Sequence, residues 1–166
     1  MPKNYKMIKP IVISRNPEKP KHDKFGNCRC NECDIGYNYF DADACIEHRT
    51  YHDALWRGTA IYGIYANYKV IDRAIDCAIE IMDDTSVPRF NRLRAVGMFL
   101  LAKYSKYYIA NLRVNIQPKM NKDDYISEWV KVNKEEFPED LLDEVIKIWV
   151  GTKSFDLIRK EYDMRV

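Results

Sequence analysis

Two cysteines and two histidines carry the clearest chemistry in this sequence. Cys30-Asn31-Glu32-Cys33 is followed by His48-Arg49-Thr50-Tyr51-His52, a C-x2-C-x14-H-x3-H arrangement. Two thiolates on a tight turn bite one side of a tetrahedral Zn2+. Two imidazoles at i and i+4 share one helix face and complete the shell. Four protein ligands leave no open position for water, so the spacing predicts a structural centre, not a catalytic one. A segment this small buries little apolar surface, and metal binding then supplies its folding energy. Cys28 and Cys45 stand close by, Cys45 on the same helix face as His48, so either is an alternative ligand. The simplest tetrad is Cys30, Cys33, His48 and His52.

The remaining chemistry is sparse. Five cysteines, four of them between positions 28 and 45, are an odd number and give no disulfide framework. With no secretory signal read at the start of the chain, clustered Cys beside clustered His points to metal in a reducing, intracellular setting, cytoplasmic or nuclear. His22 lies in a Pro/Lys-rich stretch and is expected to be solvated. No nucleophile elbow, phosphate loop or dinucleotide fingerprint is visible, and glycine totals six. No catalytic residue is assigned, the chain is expected to be non-enzymatic, and Zn2+ is the one cofactor expected.

Residues 25–52 resemble the zinc finger of the Eco-type sister-chromatid-cohesion acetyltransferases. In that family a Phe-Gly pair stands three residues ahead of the first cysteine, matched by Phe25-Gly26. An apolar residue and a tyrosine follow the second cysteine, matched by Ile35 and Tyr37. An aromatic residue precedes the last histidine, matched by Tyr51. The resemblance implies Cys30, Cys33, His48 and His52 as ligands on a ββα unit, with Cys28 at a non-ligand position. The Arg/Gln-x-x-Gly-x-Gly/Ala acetyl-CoA loop of those enzymes is not found, and residues 53–166 read as helical. The resemblance therefore carries the finger and not the acetyl transfer.

A second feature is electrostatic. The formal net charge is +2, yet residues 85–122 hold eight Lys/Arg and no Asp or Glu. The flanking blocks 41–84 and 123–166 are each acidic. On a helix over 89–113, Arg89, Arg92, Lys103, Lys106 and Arg113 fall within an arc of about 120°, with Phe99 inside it. Such an arc suits phosphate contact plus stacking. It also suits pairing with the acidic blocks of the same chain, or with an acidic protein surface. The helix carrying the histidines opens Asp41-Ala42-Asp43, with Glu47 one turn on, and those carboxylates repel phosphates where a base-reading finger needs cations.

The elements that must position these residues are mostly helical. Residues 1–24, with four prolines and seven Lys/Arg, read as a basic extended arm in which Ile11-Val12-Ile13 can form an edge strand. Residues 25–53 are the C2H2-type zinc finger, and 54–166 a helical domain. Ile61, Ile64, Tyr68, Ile71, Ile75, Ala78 and Met82 step by three and four, which predicts one helix ending near Asp83-Asp84. Thr85 or Ser86 then caps a second helix with Pro88 in its first turn, giving an antiparallel helical hairpin. Shorter helices are predicted at 122–134, at 138–150 and from Ser154 to Tyr162. Trp56, Trp129 and Trp149 are expected core anchors, and Cys77 a buried small hydrophobe. The fold class is thus mainly α, a small ββα-type C2H2 finger followed by an antiparallel helical body. No apolar run is long enough to cross a membrane. The leading function is a nucleic-acid-binding adaptor or regulator. The alternative is a protein–protein interaction module, such as a viral or mobile-element effector. A homodimer is compatible with either.

Overall fold

In a computed structural model, which describes residues 3–150 and Tyr162, the longest helix is the axis of the molecule. This helix is α3, Arg89–Arg113, the second helix of the predicted hairpin, opening directly after Pro88. It is buried on nearly every side: Leu93, Val96, Leu100, Tyr104 and Tyr108 are covered, and so are Met98, Phe99, Leu101 and Ile109. A helix apolar all round needs partners all round. Helix α2, Tyr68–Asp83, precedes it across the turn 84–88, and its Ile71, Ala74, Ala78, Ile81 and Met82 are buried. The pair is antiparallel. Met82, at the end of α2, meets Arg92 near the start of α3, while Tyr65, just before α2, donates its backbone N–H to Ser105 Oγ at 2.9 Å. On other sides of α3 lie α4 (Lys122–Val132) and α5 (Leu142–Trp149). Phe99 meets the Trp129 and Phe137 rings edge-on at 5.5 and 6.0 Å, sealing that seam.

The single helix expected through Ile61 and Met82 is two elements. Helix α1, Ala42–Arg57, runs into a π turn over Gly58–Tyr62 and stops at Gly63, whose φ of 64° is left-handed. Asn67 then starts α2, its side chain accepting from Val70 N–H at 3.0 Å. The 3–4 spacing continues across the break because Ile64 and Tyr65 remain buried, while Ile61 turns out to solvent. Helix α4 begins at Lys122 as expected, whereas Pro138–Leu141 form a turn and α5 opens only at Leu142. No side chain of Thr85 or Ser86 caps α3, which starts directly after Pro88. The helix expected from Ser154 lies outside the described residues, apart from Tyr162.

The N-terminal part holds a two-stranded antiparallel sheet. Strand β1 (Asn27–Arg29) pairs with β2 (Gly36–Asn38) in the register Asn27↔Asn38, Cys28↔Tyr37, Arg29↔Gly36. Gly26 enters β1 at φ 88°, and a Cβ there would sit 2.6 Å from both Asn38 Oδ1 and the Phe40 ring. Only glycine fits that approach.

Residues 5–14 form neither helix nor strand, and Ile11-Val12-Ile13 take no strand pairing. The arm is strapped to the body. Tyr5 Oη donates to Asp84 Oδ2 at 3.0 Å. Ile8 accepts from Tyr65 Oη at 2.6 Å. Ile13 is buried and donates its N–H to Thr59 Oγ1 at 3.3 Å. Cys77 is half-buried beside the same arm, its Sγ 3.6 Å from Lys6 O. Among the described residues no helix is long and apolar enough to cross a membrane.

Candidate metal centre

The turn between β1 and β2 presents both thiols. Cys30 N–H donates to Ile35 O at 3.0 Å, and Asp34 N–H returns to Cys30 O at 2.9 Å. Asp34 closes the turn at φ 59°, a left-handed position that Asp and Asn tolerate better than most residues. Its carboxylate lies 3.2 Å from Lys69 Nζ and 3.6 Å from Arg29 Nη1, which fixes the turn against the start of α2.

Helix α1 presents both imidazoles. Asp41 caps it, accepting from Asp43 and Ala44 N–H at 2.9 and 3.2 Å. His48 and His52 then project from one face toward the turn. The Tyr37 ring of β2 stacks on His48 at 4.2 Å and 16°, which holds that imidazole in place. Burial pushes the Tyr37 hydroxyl up to about 12, so it stays neutral beside the centre.

The four side chains converge. Cys30 Sγ, Cys33 Sγ and one nitrogen from each imidazole lie within 4.8 Å of one another, and all four residues are buried. Cys33 Sγ and His48 Nε2 are 3.4 Å apart. Tetrahedral Zn2+ bonds of about 2.0–2.3 Å put neighbouring donor atoms roughly 3.4–3.8 Å apart, so this edge has the right length. His52 supplies an independent test of fit. It is fully buried, yet neither Nδ1 nor Nε2 has a hydrogen-bond partner. A buried imidazole without a partner is costly, and a metal ion removes that cost. The donor set, two sulfurs and two nitrogens, is that of a closed structural zinc site. The neighbouring Cys33 thiol, aided by the two imidazoles, drives Cys30 far toward the thiolate, while the hydrogen bond with Cys30, together with burial, pushes the Cys33 thiol up so that it keeps its proton. A metal ion bound here would replace that proton and be held by both thiolates.

The two alternative cysteines are turned elsewhere. Cys28 Sγ faces Tyr37 O at 3.3 Å, and Cys45 Sγ faces Tyr39 O at 3.3 Å. His22 is exposed and stacks on Tyr39 at 5.1 Å. One residue that spacing alone did not single out stands against the centre. Glu32, inside the cysteine turn, places Oε2 3.5 Å from His52 Nε2.

The five cations of the α3 arc are not brought together as one exposed face. Arg92 is only 4% exposed. Its guanidinium donates to Met82 O at 2.7 Å and to both oxygens of Asp140 at 2.6 and 3.0 Å. Arg89 binds Glu144 and donates to Asp140 O at 2.6 Å. Lys103 is half-covered, its ammonium 5.0 Å from the Phe99 ring centroid and 5.6 Å from that of Trp129. Arg113 lies 4.4 Å over the Tyr68 ring, and Lys106 is exposed. Phe99, expected inside the arc, is buried under α4.

No protein-family model, curated protein or solved structure matches the chain. The likeness of residues 25–52 to the Eco-type finger rests on its residues alone.

Proposed function

We propose that this chain is a non-enzymatic interaction module whose β-hairpin and α1 form a ββα-type C2H2 finger, closed by one structural Zn2+ on Cys30, Cys33, His48 and His52. The single observation that carries the reading is the buried Cys2His2 convergence, in which neither nitrogen of His52 is hydrogen-bonded. Four protein donors fill a tetrahedral shell, so the ion has no position for a substrate and serves the fold. Metal content of purified protein, followed by thermal melting before and after chelation, tests it. One zinc per chain and a large chelator-induced loss of stability are expected. Protein that holds well below one equivalent and melts unchanged with chelator contradicts it.

Of the two partner classes expected from sequence, a protein partner is the better supported. Arg89 and Arg92 are held by Asp140 and Glu144. The start of α1 offers exposed Asp41 and Asp43, which repel phosphates. The hairpin and α1 leave Phe25, Phe40 and Ile46 exposed, an apolar surface suited to another protein.

One observation favours nucleic acid as the second reading. A cavity of about 760 Å³ is lined by Lys3, Lys6, Lys9 and Arg94, and by no carboxylate among the described residues. If phosphates bind there, affinity falls steeply with salt, with a log–log slope of about −0.9 per duplex phosphate. A salt titration with generic duplex and single-stranded probes separates the readings. Salt-insensitive or absent binding leaves the protein-partner reading in front.

A further inference from the structure

Glu32 touches both the N-terminal arm and the imidazole of His52. Its Oε1 accepts from both the backbone N–H and the hydroxyl of Ser14, each at 2.9 Å. Its Oε2 is buried without a hydrogen-bond partner, 3.5 Å from Nε2 of His52. The first oxygen is fully engaged with the N-terminal arm. The second lacks any bond and faces a ring that also lacks one.

From this we infer that Glu32 is the positioning carboxylate for the ligand His52, and that through it metal loading locks the N-terminal arm onto the body. The inference rests on the proposed zinc site. A neutral imidazole has one lone pair and one N–H. When the lone pair goes to an ion, the N–H needs an acceptor, and metal-bound histidines characteristically find one in a carboxylate, a carbonyl or water. With Nδ1 of His52 on the ion, Nε2 carries that N–H, and Glu32 Oε2 is an unpartnered acceptor 3.5 Å from it. An imidazole bound to Zn2+ is a better N–H donor, so the ion strengthens the contact. Holding Oε2 on the ring fixes the carboxylate plane, and Oε1 is then fixed for Ser14.

The arm responds around this point. Ile13, one residue before Ser14, is buried with its N–H on Thr59 Oγ1. Arg15, one residue after, bonds Asp53 at 2.7 Å and lies 4.9 Å over the Trp56 ring. Ile13 and Arg15 therefore dock on the turn after α1 and on α1 itself, and Ser14 between them docks on Glu32, the contact that leads to the metal. Asn67 Nδ2 donates to Glu32 O at 2.9 Å, so the start of α2 holds the backbone of the same residue. Linkage makes the effect reciprocal: what docks the arm tightens the metal, and the metal docks the arm.

The test uses the full chain and two readouts. Zinc affinity is measured by competition with a chromophoric chelator, and backbone exchange at Ser14 by hydrogen–deuterium NMR, with Ile71 in α2 as the internal reference. Glu32→Ala is expected to bind zinc about 10–100-fold more weakly while still binding one equivalent. Its Ser14 amide is expected to exchange about tenfold faster or more, with Ile71 unchanged. Glu32→Gln, which keeps an acceptor oxygen without the charge, is expected to fall between the two proteins. Cys33→Ser, which removes a ligand, marks complete loss. If Glu32→Ala binds zinc as tightly as wild type, or keeps Ser14 protected, the inference is overturned while the zinc site stands. If it loses zinc as completely as Cys33→Ser, Glu32 is itself a ligand and the positioning role is overturned. If wild type binds no zinc at all, the site fails, and the inference with it.

Discussion

Arg92 and Asp140 join parts of the chain 48 residues apart, and they do so with two hydrogen bonds, at 2.6 and 3.0 Å. The same guanidinium donates to Met82 O, so one side chain ties the end of α2, the start of α3 and the turn before α5. Arg92 is buried, whereas the Asp140 side chain keeps about half its exposure. Arg92→Ala should cost about 2–3 kcal/mol, because it strips a buried carbonyl of its donor as well as breaking the pair. That corresponds to a melting temperature lowered by on the order of 5–10 °C. A change within 1 °C would show that the contact is dispensable.

The same pair sets an acid limit. Arg92, beside Asp140, holds its carboxyl below the usual carboxylate range. A group depressed in the folded state contributes stability above its unfolded pKa of about 3.9, and that contribution is lost as pH falls through the folded value. Wild type should therefore lose more stability than Asp140→Asn between about pH 5 and pH 2. Equal acid sensitivity of the two proteins in parallel melts would contradict this coupling.

Charge reversal on α3 should act unequally at two neighbouring positions. Lys103 lies over the Phe99 and Trp129 rings, and Lys106 is exposed. Lys103→Glu should lower stability by about 1 kcal/mol, through the lost cation–π contact and the poorer fit of a carboxylate on ring faces. Lys106→Glu should stay within about 0.5 kcal/mol of wild type. Denaturant midpoints decide it, and the reverse ranking would refute the packing described for Lys103.

Gly58 gives a packing test at the join of α1 and the π turn. A Cβ there would lie 2.7 Å from a Tyr108 ring carbon and 2.8 Å from Ile64 Cδ1. Gly58→Ala gains helix propensity in principle, but here overpacking outweighs it. A net loss of about 1–2 kcal/mol is expected, measured by chemical denaturation, and a stabilised variant would mean that the contact between α1 and α3 is looser than described.

These cases show which parts were legible in sequence. The convergence of Cys30, Cys33, His48 and His52 was, because C-x2-C and an i, i+4 histidine pair each define a local geometry that needs no knowledge of the rest of the chain. Helix α3 was legible because Pro88 opens it and no proline interrupts its 25 residues. The break at Gly63 was hidden, since Ile64 and Tyr65 stay buried outside a helix and keep the apparent period going. The arm's docking was hidden too. Ile8 is held through its backbone oxygen by Tyr65, and a backbone acceptor leaves no mark in the residue pattern. Arg92 defeated the helical wheel for a different reason: a wheel reads every cation as solvated, and only the fold reveals a distant carboxylate able to bury one. Glu32 sat in plain view between the cysteines, but its two partners come from positions 14 and 52.

The central claim is a closed zinc site on Cys30, Cys33, His48 and His52, and metal stoichiometry on unchelated protein tests it most directly. Wild type and Cys33→Ser, purified side by side without chelator, are analysed for zinc by mass spectrometry, with Cys28→Ser and Cys45→Ser as controls. One equivalent is expected in wild type and in both control variants, and almost none in Cys33→Ser. Zinc retained by Cys33→Ser, or lost from Cys28→Ser, would contradict the tetrad, and zinc absent from wild type would contradict the site altogether.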